Sequence, residues 1–203
     1  MYNSEEILSA LNIKEDVLGI FPYGSRVYGL AKDDSDYDYI IVTKSSFLSS
    51  GAFKQNAISS LDRKIQGVLY SRSGFIDAIN NYEIGALECL SLQPEQIVIS
   101  KWPFKVQKWD DKEMVKKVIQ KASASWHIAS EQSKMDQKSH AKKGIFHALR
   151  ILMFGIQLKE HQKIVDFSVS NELKHEIDRL PDDMFDDRLY LKLRDELMNK
   201  LKG

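Results

Sequence analysis

Two short apolar runs, Val17-Leu18-Gly19-Ile20-Phe21 and Tyr39-Ile40-Ile41-Val42, stand between polar turns. Both are rich in β-branched and aromatic residues, which predicts buried strands over 17–23 and 37–43. Ahead of them, Ser4 as N-cap, Glu5 and Glu6 in the first turn and the spaced Ile7, Leu8 and Leu11 predict a helix over 4–12. Residues 44–53 read as a polar loop with two hydrophobic anchors. Ile65 to Tyr70 predicts a third strand. Ser73 then caps a helix carrying Phe75, Ile76 and Ile79. A second short helix holds Ile84, Leu87, Leu90 and Leu92, with Pro94 ending it. Ile97-Val98-Ile99 reads as a short strand. Alternating strands and helices of this kind predict an α/β domain.

The pattern changes after an aromatic connection, Trp102-Pro103-Phe104-Lys105-Val106-Gln107-Lys108-Trp109. This sets a first domain over 1–105 and a helical one over 106–203. Asp110/Asp111 open a helix with Met114, Val115, Val118, Ile119, Ala122, Trp126 and Ala129 at three-and-four spacing. Ser139 opens the next, to about Glu160. Ser170 or Asn171 caps a third that ends before Pro181, and Asp186 to Lys202 forms the last, with Leu189, Leu193, Leu197 and Leu201 on one side. Trp102, Phe104 and Trp109 alternate with lysines. That pattern suits a packing cluster between domains, or a platform for single-stranded nucleic acid.

Candidate chemistry concentrates between the first two strands. Gly24-Ser25 ends one and Asp36-Tyr37-Asp38 opens the other. Residues two apart on a strand share a face, so Asp36 and Asp38 point the same way. Adjacent carboxylates repel unless a cation lies between them, and a hard oxygen-liking ion such as Mg²⁺ with a substrate phosphate answers that need. The Gly24-Ser25 turn offers free N–H groups and a hydroxyl, which suit a phosphate. A phosphate cradle beside a metal dyad is the equipment of phosphoryl or nucleotidyl transfer. The bland reading is a polar hairpin with turn and cap aspartates.

A second constellation lies on the helix 139–160. At ~100° per residue, Ile145, Ala148, Leu149, Leu152 and Ile156 fall in one arc, with Lys143, His147 and Arg150 nearly opposite. These three are either a solvated face or a cationic complement to a triphosphate.

Composition narrows the setting. The 203 residues carry 29 basic and 29 acidic side chains, so no bulk charge draws the protein to nucleic acid. The lone Cys89 builds no disulfide and reads as a small buried hydrophobe, which fits a reducing, cytoplasmic setting. The acidic start, Met1 to Glu6, does not read as a signal peptide, and no apolar run is long enough to predict a membrane span. His127, His161 and His175 lack zinc-ligand spacing. Neither a Walker-type Gly-x-x-x-x-Gly-Lys-Ser/Thr nor a Gly-x-Ser-x-Gly string occurs.

Gly-Ser, ten residues and Asp-x-Asp together resemble the signature of the DNA polymerase β-like nucleotidyltransferase superfamily. The strings Gly24-Ser25-Arg26-Val27-Tyr28-Gly29-Leu30 and Asp34-Ser35-Asp36-Tyr37-Asp38 are similar to the branch related to RNA-ligase-associated polymerase β-like proteins. Lys142-Lys143-x-x-x-His147-x-x-Arg150, Phe154-Gly155-x-Gln157-Leu158 and Lys163-Ile164-Val165-Asp166-Phe167 extend the resemblance. It implies an α/β (α+β) fold, a small mixed-sheet palm followed by a helical domain, with the site in the cleft between them. It implies Asp36 and Asp38 as catalytic metal ligands for one Mg²⁺ or two. Gly24, Ser25, Arg26, Lys143, His147 and Arg150 would bind the NTP, and an RNA 3′ end or a protein would be the acceptor.

The same resemblance implies a third acid on the following strand. Here that position falls on Gln66, which has no charge and cannot act as a base. Asp62, four residues earlier, and Glu88, at an acidic position typical of the branch, are the alternatives. Glu88 also reads as an exposed helix glutamate. Three functions stay open: a transferase, a degenerate binder of nucleotides or RNA ends, and a protein-modifying nucleotidyltransferase.

Overall fold

A computed structural model describes residues 2–44 and 55–203, so most of the loop expected over 44–53 lies outside the described residues. The fold is α/β, a mixed five-stranded sheet followed by a mostly helical C-terminal part, as the pattern predicts. The chain divides into two compact units, Met1–Lys108 and Trp109–Gly203. Among the described residues, no helix is long and apolar enough to cross a membrane.

In the first unit the elements run α1 (Ser4–Ala10), β1 (Val17–Tyr23), α2 (Ser25–Tyr28), β2 (Tyr37–Thr43), β3 (Gln55–Ser59), β4 (Ile65–Ser71), α3 (Arg72–Asn80), α4 (Ile84–Ser91) and β5 (Ile99–Ser100). The sheet order is β3-β4-β2-β1-β5, and β2 with β4 is its parallel pair. Alternation sorts the side chains into two faces. Ile20, Tyr39, Ile41 and Ile65 join Ile7 and Leu11 in one core cluster beneath α1. On the opposite face, Phe21 stacks on Phe75 of α3 at 5.8 Å, and Phe104 closes on Phe75 at 4.9 Å. Each fully buried side chain of this size stabilises the unit by roughly 1.5–3 kcal/mol.

Pro22 sits inside β1 without breaking it. β5 pairs with β1 only at Gly19 and Ile20. The missing N–H of Pro22 lies on that same edge, beyond the end of β5, where no ladder bond is lost.

Several element boundaries differ from the expectation. Asn3, not Ser4, caps α1, because Asn3 and Glu6 bond reciprocally in a capping box. Ser71, not Ser73, caps α3: its hydroxyl accepts the Gly74 N–H at 3.1 Å, so β4 runs into α3 without a loop. α4 ends at Ser91, before Pro94. β3 was not expected; its Gln-Asn-Ala-Ile-Ser sequence has little apolar alternation and is held by antiparallel pairing to β4. The short helix α2 was not expected either.

The second unit is built on α5 (Asp111–Lys134) and α6 (Lys138–His161), followed by α7 (Asn171–Arg179) and α8 (Leu191–Lys202). Asp110 caps α5 by accepting the Glu113 N–H at 3.1 Å. Met114, Val118, Ala122, Trp126 and Ala129 are buried from α5, and Ile145, Ala148, Leu149, Leu152 and Ile156 from α6. The last helix begins later than expected, at Leu191, after a 3₁₀ turn over Asp187–Tyr190, and Leu189 is exposed.

Two glycines let the long helices approach. A Cβ on Gly144 would lie 2.6 Å from the Cβ of Ala129, and one on Gly155 would lie 2.5 Å from Val118 Cγ1. The strings 154–158 and 163–167 are joined by one side chain. Buried Gln157 accepts the N–H groups of Val165 and Asp166 at 2.8 and 2.7 Å and donates to the Asp166 carbonyl at 2.8 Å. Gly155→Ala is expected to destabilise the protein by about 1–3 kcal/mol through overpacking. Adding Val118→Ala to that variant should recover part of the loss, measured by urea denaturation.

Candidate functional site

The register of β1 against β2 pairs Tyr23 with Asp38. This brings the end of one strand to the start of the other. Gly24 follows with φ 80° and ψ −156°, a backbone region open to glycine. A Cβ there would also overlap the Asp38 carboxylate. Gly24 is thus required twice, by its backbone and by the carboxylate packed on its Cα. α2 starts at Ser25, and the first N–H groups of a helix have no partner within it.

Asp36 lies one residue before β2, and its charge acts on Asp38. Burial, then the neighbouring Asp36, raise the Asp38 carboxyl above its ordinary range, with Arg26 opposing. A carboxylate pair disfavoured in this way fits a divalent cation, which would offset both causes. Among the described residues no group of three or more His, Cys, Asp or Glu is arranged to hold a metal.

Arg26 is engaged with the loop before the dyad. Its guanidinium donates to the carbonyls of Ser35 at 2.6 Å and Asp36 at 3.2 Å and lies 3.7 Å from the centre of the Tyr37 ring. It latches the ten-residue connection so that Asp36 is presented beside Asp38. Tyr37 also meets Tyr2 edge-on at 4.8 Å, and Tyr28 is buried, so both tyrosines pack around the turn.

Gln66 stands opposite Asp38 on the parallel neighbour β4. Its amide Nε2 donates to Asp36 Oδ2 at 2.7 Å and to the Arg63 carbonyl at 3.3 Å. Where an acid would add a third negative charge, this chain therefore brings a hydrogen-bond donor to the dyad. Asp62 belongs to the β3–β4 turn, where it accepts from Ser60 Oγ at 2.7 Å and Lys64 N–H at 3.0 Å; these bonds lower its pKa. The reading of Glu88 as an exposed helix residue is overturned. It is 4% exposed and accepts a hydrogen bond from the Tyr28 hydroxyl, because α4 packs its Glu88 side toward the sheet and the motif helix. That strut between α4 and α2, like the Arg26 latch, carries no sequence signal: it depends on Tyr28 being buried. Burial pushes the Cys89 thiol up, which makes it unreactive.

The basic trio of α6 separates within the second unit. Lys143 is exposed. Arg150 is 8% exposed, lies 5.6 Å from the Phe146 ring and 5.8 Å from the Phe154 ring, and donates to His147 Nδ1 at 2.9 Å. A uniformly solvated face is thus corrected: aromatic neighbours cover Arg150. His147 is not a cation near neutral pH, since burial, then the charges of Arg150 and Lys121, lower its pKa to about 4. Neighbouring Lys142, instead, is buried and ion-paired with Asp182 at 2.6 Å.

No family model and no curated protein matches the chain. Among solved structures, a nucleotidyltransferase-like protein from Exiguobacterium sibiricum is similar over 98% of this chain and 72% of its own, at 14% identity and a TM-score of 0.37. A likeness at that level assigns no activity to this chain.

His147 generates a pH prediction. Its folded-state pKa lies below the ordinary 6.5, so the unfolded chain binds the proton more readily. Its contribution is fully present above about pH 6.5 and is lost as pH falls toward 4. The loss reaches at most about 3 kcal/mol. Urea midpoints at pH 7 and 4.5 should converge in His147→Gln relative to wild type.

Proposed function

We propose that the first unit carries a nucleotidyltransferase site, which moves a nucleoside monophosphate from an NTP to a hydroxyl acceptor. The single observation that carries the reading is the packing of the Asp38 carboxylate on Gly24, with Asp36 alongside. A phosphate turn and a carboxylate pair thereby become one site. In this reading Ser25 and the first N–H groups of α2 receive the terminal phosphates. Asp36 and Asp38 hold a divalent cation, with Mg²⁺ the best match to an all-oxygen donor set. When bound, that ion supplies charge neutralisation at the reacting phosphate.

The acceptor hydroxyl attacks the α-phosphorus and a new P–O bond forms. The bond to the β-phosphate bridging oxygen breaks, and pyrophosphate leaves with the electron pair. The hydroxyl proton passes to solvent, because Gln66 has no basic atom. Arg26 keeps Asp36 in place through the loop carbonyls. Among the three groups of α6, in the second unit, Lys143 is the exposed cation.

A second reading is favoured by one contact, the hydrogen bond from Gln66 to Asp36. It occupies a carboxylate oxygen and brings no charge, so a second cation lacks a third carboxylate. The site would then hold a nucleotide or RNA end without turnover.

Labelled NTPs, Mg²⁺ and hydroxyl acceptors of RNA and protein type separate the two. Under the first reading wild type releases pyrophosphate, and Asp36→Ala or Asp38→Ala abolishes release. Under the second, calorimetry shows Mg²⁺-dependent NTP binding without release, and Gln66→Asp creates or raises activity. NTP binding and transfer both indifferent to Asp36→Ala and Asp38→Ala would sink both.

In the cation-free protein, Asp38→Asn is expected to raise the melting temperature, because it removes a carboxylate disfavoured by burial and by Asp36. Mg²⁺ should then stabilise wild type and leave Asp38→Asn unchanged, as read by thermal melts.

A further inference from the structure

We propose that Trp102 and Arg72, with Lys101, Lys105 and Lys108, form a surface on the first unit that binds single-stranded nucleic acid. The three aromatics of the 102–109 connection have separate fates, which corrects their reading as one packing cluster. Phe104 belongs to the core, against Phe21 and Phe75. Trp109 donates its Nε1–H to Asp111 at 2.6 Å. Trp102 is left 39% exposed, with the Arg72 guanidinium 4.8 Å from its ring centre.

The segment that presents Trp102 is held on both sides. Lys101 N–H bonds to the Leu18 carbonyl at 2.8 Å, and Phe104 N–H bonds to the Trp102 carbonyl at 2.9 Å around Pro103. The Phe104 ring is anchored in the aromatic core. An exposed indole on a rigid support, capped by a guanidinium, is a stacking platform that tolerates any base.

The stretch that presents it carries charge of one sign. No Asp or Glu occurs from Gln96 to Trp109, a stretch that carries Lys101, Lys105 and Lys108. These lysines are exposed. Asp16, near the same end of the sheet, is paired with Lys44 at 3.9 Å. A polyanion with unstacked bases matches this surface; a neutral or acidic polypeptide does not.

The topology separates the platform from the dyad. Gln66 pairs with Asp38, and Ser71 with Thr43 at the other end of the same two strands. Arg72 follows Ser71, so the platform lies about 20 Å along the strands from Asp38 at ~3.3 Å per residue. A nucleotide seated at Gly24 and Asp38 does not reach it; a strand does. The role of that strand as acceptor rests on the transferase reading, whereas its binding does not.

Fluorescence anisotropy with a short labelled oligouridylate, without Mg²⁺ or NTP, tests the surface. Wild type should bind, more weakly as salt rises. Trp102→Ala and Arg72→Ala should each weaken binding by about tenfold or more, while Trp102→Phe retains most of it. Lys101→Glu/Lys105→Glu should also weaken it, and unchanged circular dichroism would show that the variants are folded. Absent binding by wild type, binding indifferent to Trp102→Ala, or polyglutamate binding as tight as oligouridylate would overturn the proposal. Asp36→Ala/Asp38→Ala should keep full oligonucleotide binding, so failure of the transferase reading alone is visible as binding without transfer.

Discussion

The contact between Gly24 and the Asp38 carboxylate is the constraint on which the rest of the first unit depends. It exists because β1 and β2 pair with Tyr23 opposite Asp38. Shifting that register by one residue would turn Asp38 to the α1 face and bury a carboxylate among Ile20, Ile41 and Tyr39. The two-faced core therefore guards the site: Phe21, Phe75 and Phe104 on one side and Ile7, Ile20 and Ile41 on the other allow one register. What this arrangement costs is visible at Asp38 itself, whose ionised form is disfavoured by burial and by Asp36.

Around that contact the chain uses polar side chains as braces. Arg26 fixes the loop carbonyls before Asp36, Gln66 fixes one oxygen of Asp36, and Glu88 fixes Tyr28 at the end of α2. None of these is a surface ion pair of the kind worth little. Each ties a functional backbone segment to a neighbouring strand or helix. Gln66 differs from the other two because it also sets the charge of the dyad. The second unit repeats the principle with Gln157, which clamps the segment after α6 by three hydrogen bonds.

Much of this was legible in the chain. The apolar runs marked β1, β2 and β4, since buried strands need β-branched and aromatic side chains. Three-and-four spacing marked α5 and α6. β3 was not legible: Gln55–Ser59 has almost no apolar signal and is a strand because β4 offers it an edge. The Asn3 capping box was present in sequence but hidden by the neighbouring Ser4. At the site, the Gly-Ser and Asp-x-Asp halves were readable as motifs, whereas Arg26, Tyr28 and Glu88 acquired their positions only from packing.

The helix face of Lys143, His147 and Arg150 marks the boundary between the two kinds of knowledge. Periodicity determined which side of α6 they occupy, because 3.6 residues per turn leaves no choice. Whether that side meets water or protein is decided by what packs on it from elsewhere in the chain, here Phe167 against Phe154 and Lys174 over Phe146, on either side of Arg150. Charge at His147 follows from that burial rather than from residue type. In the same way, the Asp-x-Asp spacing alone predicts that Asp36 and Asp38 share a face. The resemblance also singled out Gln66, but only the tertiary structure decided that it stands across from Asp38 with its amide on Asp36, because a parallel neighbour is chosen by sheet order and not by position in the chain.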